Sequence, residues 1–282
     1  MTEETFDNGL LVRQFSIQRV DGLQRRRLLD HVAVEEPLEI RIRYWFKDAQ
    51  LSDSLAVTMR TPGHDRELAA GFLLSEGIIR DREQLLELRS LGGRDSNEVL
   101  AELSKDVDVE SWRIARNSFV SSSCGLCGKR SREAIAQSLP GLPPDGTHFP
   151  ASAIEKLSDQ LSDHQRGFSQ TGGLHAAALF TSDGTVEAVF EDVGRHNALD
   201  KLVGHCVLRG QVPLRQYLLF MSSRSSFELV QKAVAAGAPI LATVGSSSSL
   251  AVETARDQGL TLIGFVRGSH FNVYSGEWRI DL

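Results

Sequence analysis

YLLFMSSRSSFELVQKAVAAGAPILATVGSSSSLAVETARDQGLTLIGF, residues 217–265, is the stretch on which the fold turns. Tyr217 to Met221, Ile240 to Val244 and Leu260 to Phe265 are short apolar runs bounded by serine or glycine. These read as strands. Between them, Ser226 to Ala236 and Leu250 to Gln258 carry helical spacing. Strands alternating with helices predict an α/β unit whose sheet is covered on its faces.

Working outward, Ala176 to Phe180 and Val186 to Phe190 read as strands with Asp183-Gly184 as the turn between them, and Asn197 to Leu208 as a helix. A last strand is expected over Phe271 to Tyr274, after a glycine-punctuated turn spanning Gly264 to Asn272. Upstream, Pro140 to Pro150 holds four of the eight prolines and marks a boundary, because the residue before proline resists the helix. Just beyond it, Ser152-x-x-Glu155 reads as a capping box, with Ile154, Leu157 and Leu161 as the buried stripe of a helix. The division expected is a segment at 1–30, an α+β domain at 31–139, a Pro/Gly-rich linker at 140–151 and the α/β domain at 152–282.

The α+β domain starts with the strict alternation of Leu38 to Tyr44, a half-buried strand. Leu55 to Met59 is a second strand candidate, Thr61-Pro62-Gly63 a turn, and Asp65 to Ile79 a helix stopping near Gly77. Glu76 reads as a surface acid at that helix end. Val99 to Leu103, Val107 to Val109 and Trp112 to Val120 are read as strands, and Arg130 to Leu139 as a short helix. Met1 to Asp30 reads as a polar, irregular, solvated segment with a basic patch at Arg25-Arg26-Arg27.

The chain has 282 residues, a formal net charge of −6, and 41% hydrophobic and 24% charged residues. That is a globular composition, and it argues against a general nucleic-acid binder, which needs a basic surface. No apolar run is long enough to span a bilayer, and the acidic start Met1-Thr2-Glu3-Glu4 lacks a signal core. Three cysteines do not suggest a secreted disulfide framework, so a cytoplasmic protein is expected.

Two of those cysteines lie in Ser121-Ser122-Ser123-Cys124-Gly125-Leu126-Cys127-Gly128-Lys129, followed by Arg130 and Arg132. Neighbouring cations favour the thiolate, the form that acts as nucleophile or ligand. Three readings stay open: half of a zinc site completed by His175 and His196, a redox dithiol, or a thiolate that takes sulfur from a persulfide and hands it on. Cys206, among Val203, Val207 and Leu208, reads as a buried helix residue.

Glu191-Asp192-Val193-Gly194-Arg195-His196-Asn197 joins a strand end to a helix start, where ligands bind in α/β sheets. Arg195 suits a phosphate or carboxylate and His196 a proton donor; the alternative reading is a helix-capping network of Asp192 and Asn197 with a structural Arg195. Thr171-Gly172-Gly173-Leu174-His175 adds a second histidine at the edge of the core. Ser222 to Ser226, with Arg224, and Gly245 to Ser249 each precede a helix, and two such N-termini would suit a diphosphate. Phe265, Val266, Arg267, Gly268, Ser269 and His270 form a set fit for a purine with phosphates. Neither a P-loop nor a Rossmann glycine motif is present.

Cys124-Gly125-Leu126-Cys127-Gly128-Lys129, the Glu191 to Asn197 segment, Phe265-Val266-Arg267-Gly268 and Phe271-Asn272-Val273-Tyr274 together resemble the FdhD family. Thr61-Pro62-Gly63, Glu67 to Leu73 and Ser75-Glu76-Gly77 extend the resemblance, which covers Glu35 to Tyr274. It implies a sulfur carrier serving formate dehydrogenase, loaded by a cysteine desulfurase and delivering to the molybdenum cofactor, a bis-guanine-dinucleotide. It implies a persulfide on Cys124 with Cys127 assisting, cargo contact at Phe265 to His270, and a second domain like cytidine deaminases in fold. Deaminase zinc chemistry needs H-x-E with P-C-x-x-C, and the corresponding segments carry neither, so no metal ligands and no deaminase activity are expected. GDP should serve as a surrogate ligand. A cargo with two equivalent arms suggests a two-fold homodimer.

Overall fold

The computed structural model describes residues 11–92, 96–110, 142 and 146–282, and its architecture is mixed α/β. The chain opens with a hairpin of β1 (Val12–Asp21) and β2 (Gln24–Ala33), then builds β3 (Glu36–Phe46), β4 (Ala49–Arg60), α1 (Asp65–Ser75), β5 (Leu85–Ser90) and β6 (Glu98–Leu103). Strands β3 to β6 form a sheet in the order β4-β3-β6-β5, with β3 and β6 parallel. After the short β7 (Phe149–Pro150) come α2 (Ala151–Ile154), α3 (Leu157–His164) and α4 (Arg166–Thr171). Then follow β8 (His175–Phe180), β9 (Val186–Asp192), α5 (Arg195–Leu208), β10 (Leu218–Met221), α6 (Phe227–Ala235), β11 (Ile240–Thr243), α7 (Ser249–Asp257), β12 (Thr261–Arg267) and β13 (His270–Ser275). These six strands form one sheet in the order β13-β12-β11-β10-β8-β9, while a short β14 (Ile280–Asp281) pairs with β7.

Strand β10 is apolar throughout, and β11 up to Ala242, because both faces are buried. Leu218 and Phe220 of β10, with Ile240 and Ala242 of β11, face a cluster built with Ile154, Leu157 and Leu161. Leu219, Met221 and Leu241 face the other way, into a cluster shared with α5, α6 and α7. That second cluster continues through α1 into Leu38, Ile40 and Ile42 of the four-stranded sheet, so one core joins the two sheets. The joint is the crossing of α1 and α5, where each helix offers a glycine to the other's backbone. A Cβ on Gly71 would lie 1.9 Å from the Asp200 carbonyl oxygen, and one on Gly204 would lie 1.7 Å from that of Glu67.

Several expectations need correction. Val12 to Ala33, within and just beyond the stretch read as irregular, is a hairpin whose register leaves Gly22-Leu23 as a two-residue loop. Gly22, at φ 61°, takes the first loop position of the turn type that requires glycine there. Mostly exposed faces hid the strand period, and the hairpin rests mainly on α4. Leu85 to Ser90, not read as a strand, is β5; Val107 to Val109, read as one, is not a strand, and its two valines plug the core after β6. The capping box is not used, because α2 starts at Ala151 with Pro150 as N-cap and no side-chain cap bond. The turn placed at Gly264 to Asn272 is only Gly268-Ser269, as β12 runs to Arg267 and β13 begins at His270. The expectations for Trp112 to Val120, for Cys124 and Cys127, and for Arg130 to Leu139 lie outside the described residues. Among the described residues, no helix is long and apolar enough to cross a membrane.

Candidate functional site

One edge of the six-stranded sheet collects the polar motifs. Strands β10, β11 and β12 run parallel and end there. Because β8 is antiparallel to β10, and β9 to β8, the start of β8 and the end of β9 reach the same edge. Helices α5, α6 and α7 start from it, with Gly194, Ser226 and Ser248 as N-caps. Three sets of free N–H groups and three positive dipole ends therefore gather on one edge, a setting that favours anions.

The loops at this edge are laced to one another. The Ser225 N–H donates to the Ser246 carbonyl at 3.1 Å, the Ser248 N–H to the Ser225 carbonyl at 3.1 Å, and the Phe265 N–H to the Gly245 carbonyl at 3.0 Å. The hydroxyls of Ser225 and Ser247 meet at 2.6 Å. Ser248 spends its hydroxyl on its own helix, accepting from the Ala251 N–H at 3.3 Å. Ser226 makes no such cap bond, and its oxygen stays 3.5 Å from Nε2 of His196.

Much of the Glu191 to Asn197 segment is spent on the fold. Glu191 accepts the backbone N–H groups of Gly167 and Phe168, each at 2.8 Å, and burial pushes its carboxyl above the ordinary value. Asp192 is fully buried and accepts from Gly194 and Thr61 N–H groups, from Asn197, and from Lys201 Nζ at 2.7 Å. Asn197 also donates to the Met59 carbonyl, and Lys201 to the Thr61 carbonyl, both at 2.7 Å. This network pins the Thr61-Pro62-Gly63 turn of the first sheet to the start of α5. Arg195 and His196 remain partly exposed at the edge.

Nε2 of His196 lies 2.8 Å from Oε2 of Glu228 in the first turn of α6. Burial raises the Glu228 carboxyl, but the His196 contact, with Lys232 and Arg195 behind it, outweighs burial and holds it below its ordinary value. Sequence reading passed over Glu228, since an acid in a first helical turn looks like plain dipole compensation. The signal available was its place two residues after a serine-rich junction that faces a histidine-bearing one.

His175, at the start of β8, is held below 6.5, first by burial and then by the charges of Arg195 and His196, with Asp192 opposing. It is thus neutral at pH 7, and the folded protein binds fewer protons there than the unfolded chain. Stability from this group is expected to fall as pH drops through 6.5, and a His175→Gln variant should lose that part of the dependence. An NMR titration placing the His175 midpoint above 6.5 would contradict the assignment.

Of the other residues expected in a site, Arg224 is exposed between β10 and α6 at the same edge. Phe265 is there too, half-buried at φ 56°, a left-handed conformation that costs a bulky side chain strain and that clusters at functional sites. Val266 is buried in the core, so its side chain is not available to a ligand. Arg267, Gly268, Ser269 and His270 are exposed at the β12–β13 tip, past the last pairing of β12 with β11 at Ala242↔Ile263. The edge thus brings together Arg195, His196, Arg224 and Phe265, while Arg267 to His270 stand on an arm beside it.

Cys206 is fully buried on α5, and burial pushes its thiol up to about 12. Alkylation of the native protein at pH 8 should therefore leave it unmodified, because the thiolate is the reactive form. Peptide mass spectrometry showing rapid native labelling of Cys206 would be the contrary result. Among the described residues no group of three or more His, Cys, Asp or Glu side chains could hold a metal ion.

A family model described as FdhD/NarQ family matches residues 33–281. The sulfur carrier protein FdhD of Streptomyces avermitilis is 45% identical over 90% of each chain. That of Nocardia farcinica is 46% identical over 97% of this chain and 96% of its own. The protein of the same name from Sulfurisphaera tokodaii is 41% identical over 89% and 92%. A solved structure from Desulfotalea psychrophila, described as a formate dehydrogenase accessory protein, superposes with a TM-score of 0.74 over 96% of this chain and 100% of its own, at 22% identity.

Proposed function

The chain belongs to the FdhD/NarQ family, and on that premise we propose that it carries sulfur from a cysteine desulfurase to the molybdenum cofactor of formate dehydrogenase. The observation that carries the reading is the edge just described. Three helix N-termini, Arg195 and Arg224 converge where a nucleotide diphosphate would bind, as the guanine-dinucleotide arms of the cargo require. Phe265 and the Arg267 to His270 tip supply an aromatic face, a guanidinium and an imidazole for the base.

The Cys124 thiolate attacks the outer sulfur of the desulfurase persulfide. A new S–S bond forms on Cys124, and the desulfurase thiolate leaves. Attack by Cys127 on the inner sulfur of Cys124 then closes a disulfide and releases the cargo sulfur as sulfide, which the metal takes. The carrier works in the cytoplasm with the apo formate dehydrogenase as receiver, and two copies pair so that each takes one arm of the cargo.

The test is mass spectrometry after incubation with a cysteine desulfurase and cysteine. The Cys124 peptide should gain one sulfur atom, and the Cys124→Ala variant none. A titration with GDP should show binding that Arg195→Ala weakens. A wild-type protein that gains no sulfur ends the carrier reading; one that gains sulfur but ignores GDP ends the assignment of the edge.

A further inference from the structure

A cleft of about 510 Å³ lies along β5, at the far end of α5 from the candidate site. With 14 residues at 1.5 Å each, that helix separates the two places by about 20 Å. The lining includes every residue of β5, from Leu85 to Ser90. Successive side chains of a strand point to opposite faces, so a cavity on one face would collect alternate residues only. A cavity lined by all six runs along the strand's edge.

That edge is open. Strand β5 is last in the order β4-β3-β6-β5, and no strand among the described residues pairs on its other side. The opposite wall is made by Arg66, in the first turn of α1, and Leu208, the last residue of α5. Arg82 stands just ahead of β5, donating to the Leu85 carbonyl. Leu85 and Leu88 are buried, while Leu86 is 57% exposed and offers an apolar contact on the rim.

The charge of the slot runs against that of the chain. Arg66, Arg82 and Arg89 line it with a single acid, Glu87, in a protein of formal net charge −6. The Arg89–Glu87 pair is 3.7 Å apart with both side chains about half exposed, so it neutralises little. Arg66 has no acidic partner among the described residues.

We propose that this slot docks an extended, acidic segment of a partner protein, which adds to the four-stranded sheet as a fifth strand beside β5. An open edge offers unpaired N–H and C=O groups to an incoming main chain, and that accounts for an extended partner. Three arginines against one glutamate account for an acidic one. Six residues of strand span about 20 Å, enough to register a short linear segment. A protein that must meet a donor and a receiver in turn gains from a contact placed away from its cargo.

The probe is a fluorescein-labelled six-residue peptide of alternating Glu and Val, followed by anisotropy. It should bind with a micromolar dissociation constant, and Arg66→Glu/Arg89→Glu should weaken it by about tenfold or more, as loss of charge complementarity does. Both side chains are exposed; if that variant misfolds by circular dichroism, Arg66→Gln/Arg89→Gln replaces it. A Lys-Val peptide, and a Glu-Val peptide with proline at its centre, should both fail to bind. The proposal falls if the Glu-Val peptide does not bind, binds the variant equally, or binds no better than either control. Sulfur loading on Cys124 is read separately, so either idea can fail alone.

Discussion

Gly204→Ala is expected to cost about 3 kcal/mol or more of folding stability, although the substitution normally favours a helix. Replacing glycine by alanine inside a helix contributes about 1 kcal/mol of helix propensity. Here the added Cβ would sit 1.7 Å from the Glu67 carbonyl oxygen and 2.6 Å from the Gly71 nitrogen. Both are backbone atoms, so no rotamer relieves the clash and the helices must separate. Overpacking typically costs about 1–3 kcal/mol, and a shift that opens the core between two sheets belongs at the upper end or above. For a protein whose whole stability is about 5–15 kcal/mol, that is a large fraction. Thermal unfolding followed by circular dichroism should show a Tm lowered by about 10 °C. Gly71→Ala, whose Cβ would lie 1.9 Å from the Asp200 carbonyl oxygen, should act alike. Once one alanine has parted the helices the other meets less resistance, so the double variant should cost clearly less than the sum. A Gly204→Ala protein with a Tm at or above the parent's would mean that α1 and α5 do not cross as closely as they do here.

That crossing also marks where sequence reading ends. The alternation of 217–265 was legible because strands buried on both faces are dominated by apolar residues, as Leu218 to Met221 and Ile240 to Ala242 are. The serine-rich junctions gave the helix starts, and the segment from Glu191 to Asn197 does join a strand end to a helix start, though Glu191, Asp192 and Asn197 spend their side chains on bonds that hold the fold. Gly71 and Gly204 carry no such signal: a glycine within a helical pattern looks like a weak position until the second helix is seen. Lys201, within the expected helix Asn197 to Leu208, carries no signal of its own either, and it is fully buried against Asp192. The β1–β2 hairpin was missed for the opposite reason, since strands exposed on both faces have no reason to alternate. Glu228 and His196 lie on different helices, so only the sheet's topology could bring them to 2.8 Å.

Asp192→Ala should destabilise the protein by about 3–5 kcal/mol, the range found when one member of a buried ion pair is removed. The cost is not the worth of the pair itself but the state left behind. Lys201 Nζ would be left with the Thr61 and Glu191 carbonyls as acceptors but without the carboxylate it now meets at 2.7 Å. The N–H groups of Thr61 and Gly194 and an amide hydrogen of Asn197 would lose their acceptor as well. Each buried group left unsatisfied adds about 1–3 kcal/mol before relaxation. Removing both charges, as Asp192→Leu with Lys201→Met, should be milder than Asp192→Ala alone, because two apolar groups leave no orphaned charge. Urea unfolding of the three variants measures the coupling directly. Because Asp192 and Lys201 hold the Thr61 turn against α5, the single variant should also weaken the GDP binding proposed at Arg195, whose helix start they fix. If Asp192→Ala unfolds within about 1 kcal/mol of the parent, the two units are held together by their apolar core alone, and the polar clamp at the start of α5 serves the ligand edge rather than the fold.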